Sequence, residues 1–159
     1  MKRSELVRWL KGIGIIASVM GLILCFCMAP AVGREIAKAN PELDYMFWPC
    51  LIFIWISAVP FYTALVQCWL ICNEIQKDKA FCSLNVKRLK RIGKLALSEC
   101  LLYFAALVIL AFMDLLNFGI LIVIVVILCI GFAIAIFSAV LSHLAAKAGS
   151  IQDENDLTI

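Results

Sequence analysis

The sequence predicts an all-α integral membrane protein, a four-helix bundle with both termini in the cytoplasm. The chain has 159 residues, of which 65% are hydrophobic and 16% are charged, and its mean hydropathy is +1.04. Soluble domains of this size are only about half apolar. The charges are also gathered in a few short stretches instead of alternating with apolar residues along helix faces, so most of the surface is predicted to face lipid.

Four apolar stretches are long enough to cross a membrane, since a hydrocarbon core of ~30 Å takes roughly 20 residues of helix. They cover about residues 10–32, 47–75, 95–113 and 118–146. Backbone groups in lipid must be hydrogen-bonded within each segment, so each stretch is predicted to be helical. The whole chain, 1–159, is predicted to form one transmembrane domain.

The distribution of basic residues predicts the orientation. Twelve of the fourteen Lys and Arg residues lie before the first span, between the second and third spans, or after the fourth. The connection after the first span has only Arg34 and Lys38. The positive-inside rule therefore places both termini and the long middle loop in the cytoplasm. The net charge of +3 reflects this clustering and does not indicate direct binding of nucleic acid.

The first two spans carry local signals of their own. After the first span, Asn40-Pro41-Glu42 predicts a short surface helix within a connection from Gly33 to Met46, because Asn caps helices and Pro suits their first turn. In the second span, Pro60 predicts a kink, since it removes a backbone donor. Gln67 is predicted to face the bundle interior.

The loop between the second and third spans predicts a basic amphipathic cytoplasmic helix lying on the membrane surface. Val86, Leu89 and Ile92 recur at helical spacing, and Ser83 or Asn85 is the predicted N-cap. The basic residues interspersed among them are Lys87, Arg88, Lys90, Arg91 and Lys94. Such a surface attracts anionic membrane lipids, and it also suits an acidic protein partner.

The third and fourth spans form a predicted hairpin, because only Asp114 to Asn117 joins them, and Asn117 is the predicted cap of the last helix. Residues 150–159 then form a polar, acidic cytoplasmic tail. Its predicted partner-binding residues are Asp153, Glu154 and Asp156. Their charge is opposite to that of the middle loop, so the tail is also predicted to dock against the loop.

Glu99 is an acid within the third span, about 7.5 Å along the helix from Lys94. Two interpretations stay open. The carboxylate can reach toward the interface and pair with the basic loop, or it can bind an ion or carry a proton, as intramembrane acids often do.

No motif for catalysis or for a cofactor stands out. The eight cysteines include no Cys-x-x-Cys pair, and the single histidine has no partners at the spacing of a metal site or a catalytic triad. A phosphate-binding glycine loop is also missing. We therefore expect no enzyme activity, no catalytic residue and no bound metal or cofactor.

Three segments resemble the bacterial membrane protein family called domain of unknown function 2975. They are Ala58-Val59-Pro60-Phe61-Tyr62 in the second span, Lys79-Ala80-Phe81 in the loop, and the ending Glu154-Asn155-Asp156-Leu157-Thr158-Ile159. The resemblance covers essentially the whole chain. It implies a short four-helix protein of the bacterial cytoplasmic (inner) membrane with no established activity. Because members are often encoded beside a small helix-turn-helix regulator, it also implies a DNA-binding protein as partner.

Two functions follow as hypotheses. The first is a non-enzymatic sensor that binds a cytoplasmic partner through the middle loop and the tail. The second is a small transporter or channel component built around the kinked second helix, Gln67 and Glu99. The sequence does not predict an oligomeric state.

Overall fold

The computed structural model describes the backbone of residues 3–77 and 82–157 and is helical almost throughout. The helices are α1 (Arg3–Ile23), α2 (Ala29–Ala39), α3 (Phe47–Gln76), α4 (Ser83–Phe112) and α5 (Phe118–Leu157), with a π-helical turn at Leu24–Met28 and a 3-10 turn at Pro41–Met46. Four stretches are long and apolar enough to span a membrane: Val7–Ala39, Pro41–Gln76, Ser83–Phe112 and Phe118–Ile151. The prediction of four apolar spans is confirmed.

The first span is longer than predicted. It continues through the π-helical turn and α2 as far as Ala39, so Arg34 and Lys38 lie on a helix and not in a connection. The helix ends there because Pro41 disfavours helical geometry at the residue before it. Asn40 accordingly has φ −133° and ψ 84°. The short helix predicted at Asn40-Pro41-Glu42 is present as a six-residue 3-10 helix, Pro41–Met46, which leads into α3; Asn40 is at its N-cap position but makes no side-chain capping bond.

The second span agrees closely with its predicted bounds, and α3 continues through Pro60. The predicted surface helix before the third span is not a separate element, because the basic segment forms the first turns of α4. Cys82, and neither Ser83 nor Asn85, occupies the N-cap of this helix. Polar residues there do not break the helix, since Lys, Arg and Leu are good helix formers.

A tight turn joins α4 to α5. The Leu115 amide donates to the Leu110 carbonyl and the Asp114 amide donates to Ala111, which is the Schellman arrangement of a helix end. Asp114 has φ 55° in this turn. Asn117 then caps α5, as predicted, because its Oδ1 accepts from the Ile120 amide at 2.9 Å.

The spans pack in the order of the chain. The first span packs on α3, α3 on α4, and α4 on α5, whereas within residues 3–77 and 82–157 α5 contacts α4 only. The α4–α5 contact runs along small residues of α5, namely Gly131, Ala135, Ser138, Ser142 and Ala145. Such residues let helices approach closely. No more than 11% of the most apolar window of any span is buried, so lipid is needed to cover the rest.

Candidate functional site

Four of the five predicted basic residues form one exposed surface on α4, which we call the basic stripe. Its residues are Lys87, Lys90, Arg91 and Lys94, all of them exposed. The last three lie three, four and seven residues after Lys87, which places all four within an arc of about 100° on the helix. Asn85, Ile92 and Gly93 are buried on the opposite face. The packing of α4 therefore turns the basic stripe away from its neighbouring helices.

Arg88 has a different position. It is half-buried, and its Nη1 donates to the Leu70 carbonyl and to Asn85 Oδ1, each at 3.2 Å. The side chain of Asn85 is only 1% exposed. Arg88 therefore ties the start of α4 to the end of α3 and fixes the direction of the basic stripe.

The predicted acidic tail continues α5 as a helix through Leu157, and the side chains of Asp153, Glu154 and Asp156 lie outside the described residues. Gly93 packs directly against Ser138, since a Cβ added to Gly93 would lie 3.4 Å from Ser138 Cβ. This contact defines the antiparallel register of α4 and α5. In that register the beginning of α4 is level with about residue 148. The helix therefore continues about 13 Å past the level of the first residue of α4, at 1.5 Å per residue. Docking of the acidic tail against the loop stays a prediction.

Glu99 faces α3 and belongs to a small polar cluster between the two helices. The Ser57 hydroxyl lies 3.4 Å from the Tyr103 hydroxyl, and the Glu99 carboxyl faces the same Ser57 hydroxyl. Glu99 Oε2 is buried and has no hydrogen-bond partner among the described residues. No ion pair joins Glu99 to Lys94 in the part of the chain that the structure describes. The separation of five positions turns the two side chains about 140° apart around α4.

Gln67 is buried, at 7% exposure, but it lies elsewhere. The contacts of Ser57 with Tyr103 and of Leu70 with Arg88 fix the antiparallel register of α3 and α4. Gln67 is then level with about residue 91 of α4, roughly 12 Å along the axis from Glu99. The structure does not bring these two polar residues into one site.

Sequence reasoning missed the contacts that hold the first span against α3. Trp55 Nε1 donates to the Cys25 carbonyl at 3.3 Å, and the Tyr62 hydroxyl donates to the Ser18 carbonyl at 2.9 Å. Cys25 lies in the π-helical turn, where the Ala29 amide reaches back five residues to Leu24. The only sequence signal for these contacts is the presence of aromatic residues in apolar spans, and it does not identify the carbonyl groups that accept the hydrogen bonds.

The described residues contain no group of three or more His, Cys, Asp or Glu side chains that could hold a metal ion. Among the site residues predicted from the sequence, the chemistry lies in the exposed cations of the basic stripe and in the buried carboxyl group of Glu99 with its neighbouring hydroxyl groups.

Comparison with known proteins places this fold in a family. The profile of the family described as "Protein of unknown function (DUF2975)" matches residues 31–159, most of the chain. The chain belongs to the DUF2975 family. The resemblance inferred from the sequence motifs is therefore confirmed.

A relative of the DUF2975 protein described here is the "Uncharacterized membrane protein YoaS" of Bacillus subtilis (strain 168). The two are 34% identical over 140 residues, which cover 87% of this chain and 88% of the relative. No solved structure matches the chain. The DUF2975 family thus confirms an uncharacterised multi-pass membrane protein and supplies no activity.

Proposed function

We propose that the protein is a non-enzymatic membrane component that senses a condition of the bilayer or envelope and binds a cytoplasmic protein partner. In this proposal the basic end of the bundle, with both termini, faces the cytoplasm of a bacterial inner membrane. The observation that carries it is the basic stripe, which is exposed along one face of a helix that continues directly into a membrane span.

The continuity of α4 supports a signalling role. A movement of the third span within the membrane would move the basic stripe with it, because no loop separates the two and Arg88 anchors the junction to α3. A flexible loop would transmit no such movement. The four cations complement an acidic surface, and clustered charges speed association with a partner of opposite sign.

The proposed partner is a small helix-turn-helix regulator, as the family resemblance implies. Anionic lipid head groups are the competing occupant of the basic stripe, since each basic side chain near such a surface is attracted by about 1 kcal/mol. The protein and lipid alternatives differ in what a crosslinker on the stripe would capture.

A photo-reactive amino acid at Lys90 tests the proposal in living cells. We expect a crosslink to one regulator protein, which is lost when Lys87, Arg91 and Lys94 are all changed to Gln and which weakens at high salt because exposed charges are screened. The matched control places the photo-reactive group at Ala133, on the exposed side of α5. Lipid adducts alone at Lys90 would contradict a protein partner.

A transporter or channel component is the second candidate, and the buried Oε2 of Glu99 favours it. A carboxyl group held between α3 and α4 with an unsatisfied oxygen is suited to take up a proton or a cation. The separation of Gln67 from Glu99 reduces this proposal to the Glu99 cluster alone.

Proton or cation flux into liposomes that contain the purified protein tests the second candidate. Flux abolished by Glu99→Gln and unchanged by Glu42→Gln, an exposed acid outside α3 and α4, would support it. Equal flux from protein-containing and empty liposomes would contradict it.

A further inference from the structure

An apolar cavity lies at the end of the bundle that carries the α2–α3 and α4–α5 connections. Its volume is about 460 Å³, within the ~300–1,000 Å³ of small-molecule sites. Its walls come from α2, α3, the end of α4 and the start of α5, and they include Val32, Ile36, Leu51, Leu110 and Ile120. Almost all of this lining is aliphatic or aromatic, so the cavity suits a hydrocarbon chain.

A second cavity of about 470 Å³ shares the walls formed by Ala37 and Phe47 with the first. This cavity is charged, because Arg34, Lys38 and Asp44 line it. Together, the first cavity forms an apolar chamber and the second forms its polar mouth.

The two cations at the mouth are suited to a phosphate. Arg34 and Lys38 are four residues apart on α2 and are therefore neighbours on one face. Neither has an ion-pair or hydrogen-bond partner in residues 3–77 and 82–157. Arginine and lysine are the usual ligands of phosphate oxygens. Together with Asp44, the lining side chains carry a net charge of +1, which favours a ligand of net negative charge.

We propose that this double cavity binds one anionic phospholipid, with an acyl chain in the apolar chamber and the phosphate against Arg34 and Lys38. The mouth lies where the helices leave the apolar region, and its lining residues Asp44 and Phe47 are followed directly in the sequence by Tyr45 and Trp48, aromatic residues typical of the membrane interface. A phospholipid has its phosphate at that depth and its chains below it, so its geometry matches the order of the two cavities. The proposal does not depend on the partner proposed for the basic stripe.

Native mass spectrometry of the detergent-solubilised protein tests the proposal with defined probes. The probes are dioleoylphosphatidylglycerol, dioleoylphosphatidylcholine and inorganic phosphate. We expect saturable binding of one phosphatidylglycerol, with a dissociation constant at least about tenfold lower than that of phosphatidylcholine. Inorganic phosphate, which lacks a chain, should not bind. Equal affinity for both lipids, or binding of phosphate alone, would overturn the proposal.

Two variants locate the binding. Ala37→Trp places a bulky side chain at the wall that the two cavities share and should abolish lipid binding. Arg34→Gln with Lys38→Gln should remove the preference for phosphatidylglycerol. The matched controls are Ala133→Trp, which adds the same volume on an exposed face, and Arg8→Gln with Lys147→Gln, which removes two exposed cations at the other end that lie outside the basic stripe. Melting temperatures confirm that each variant is folded. Unchanged binding in folded Ala37→Trp, or equal losses in the controls, would place the lipid elsewhere.

Discussion

At the scale of single residues, neighbours in the sequence have different tasks. Lys87 is exposed, whereas Arg88 is half-buried and donates to a carbonyl of another helix. A run of basic residues predicts an attractive surface, but it does not tell which member turns inward. That depends on the register of α3 against α4, which no local pattern in the sequence specifies.

Replacing Arg88 should therefore cost stability, and replacing Lys87 should not. Arg88→Gln shortens the side chain and removes the bonds to Leu70 and Asn85, and hydrogen bonds that involve a charged group contribute about 1.5–3 kcal/mol. Lys87→Gln is a surface change, expected within about 0.5 kcal/mol. Thermal unfolding of both variants in the same detergent measures the difference, and equal melting temperatures would show that Arg88 does not anchor α4.

The direction of the Glu99 side chain also depends on helix geometry and packing. Proximity to Lys94 along the chain suggested an ion pair, yet a separation of five residues turns the two side chains to different faces of the helix. Helical periodicity alone argued against the pairing. The contact with the Ser57 region, in contrast, required knowledge of how α3 packs on α4.

At the scale of helices, small residues determine how closely α4 and α5 approach. The Cys100 thiol donates to the Leu128 carbonyl at 3.8 Å, and a Cβ on Gly131 would overlap Cys100 Sγ. Cys100 itself is only 5% exposed and has little room to move. The close contact therefore depends on a glycine at position 131.

Gly131→Ala should lower the melting temperature, because added volume in a packed contact typically costs about 1–3 kcal/mol. Gly14→Ala is the matched control, since nothing lies within 4 Å of its added Cβ and alanine favours the helix by about 1 kcal/mol. The two variants should thus shift stability in opposite directions. Combining Gly131→Ala with Cys100→Ala should restore part of the loss, and no restoration would mean that the clash is not with Cys100.

The bounds of the helices show what sequence patterns can predict. Hydropathy predicts the bounds of α3 to within one residue, and the side-chain chemistry of Asn117 predicts that it caps α5. The predicted first span is too short, because Arg34 and Glu35 resemble a connection between spans. Its helix nevertheless contains only Gly33 as a weak helix former between Pro30 and Asn40, and charged residues are tolerated where a helix reaches the membrane surface.

At the scale of the whole molecule, the four spans were predictable from composition, and the shape of the sites was not. The apolar cavity lies between α2, α3, the end of α4 and the start of α5, and the charged cavity lies between α2, the 3-10 helix and the start of α3, so no single stretch of sequence marks them. The basic stripe was partly predictable because it lies on one helix. Sites within one element leave a periodic signal, and sites between elements do not.

The orientation in the membrane is open to a direct measurement. Reporter fusions after Lys11, at Lys90 and after Ile151 should be active only as cytoplasmic reporters, whereas insertions near Lys38 or Leu115 should be active only outside, because basic residues are retained on the cytoplasmic side. Activity of an external reporter at Lys90 would show that the orientation in the membrane is the reverse of the predicted one. The reverse orientation would also move the phospholipid cavity to the inner leaflet.

The packing of each span on its chain neighbours also has a consequence for biogenesis. Every contact between spans can form as soon as the later of the two leaves the ribosome, since α5 needs only α4 in the described part of the chain. Chains dominated by such local contacts assemble quickly, and domains emerge from synthesis N-terminus first. The protein can therefore assemble in the order in which its spans are inserted, without waiting for its last helix to complete a distant contact.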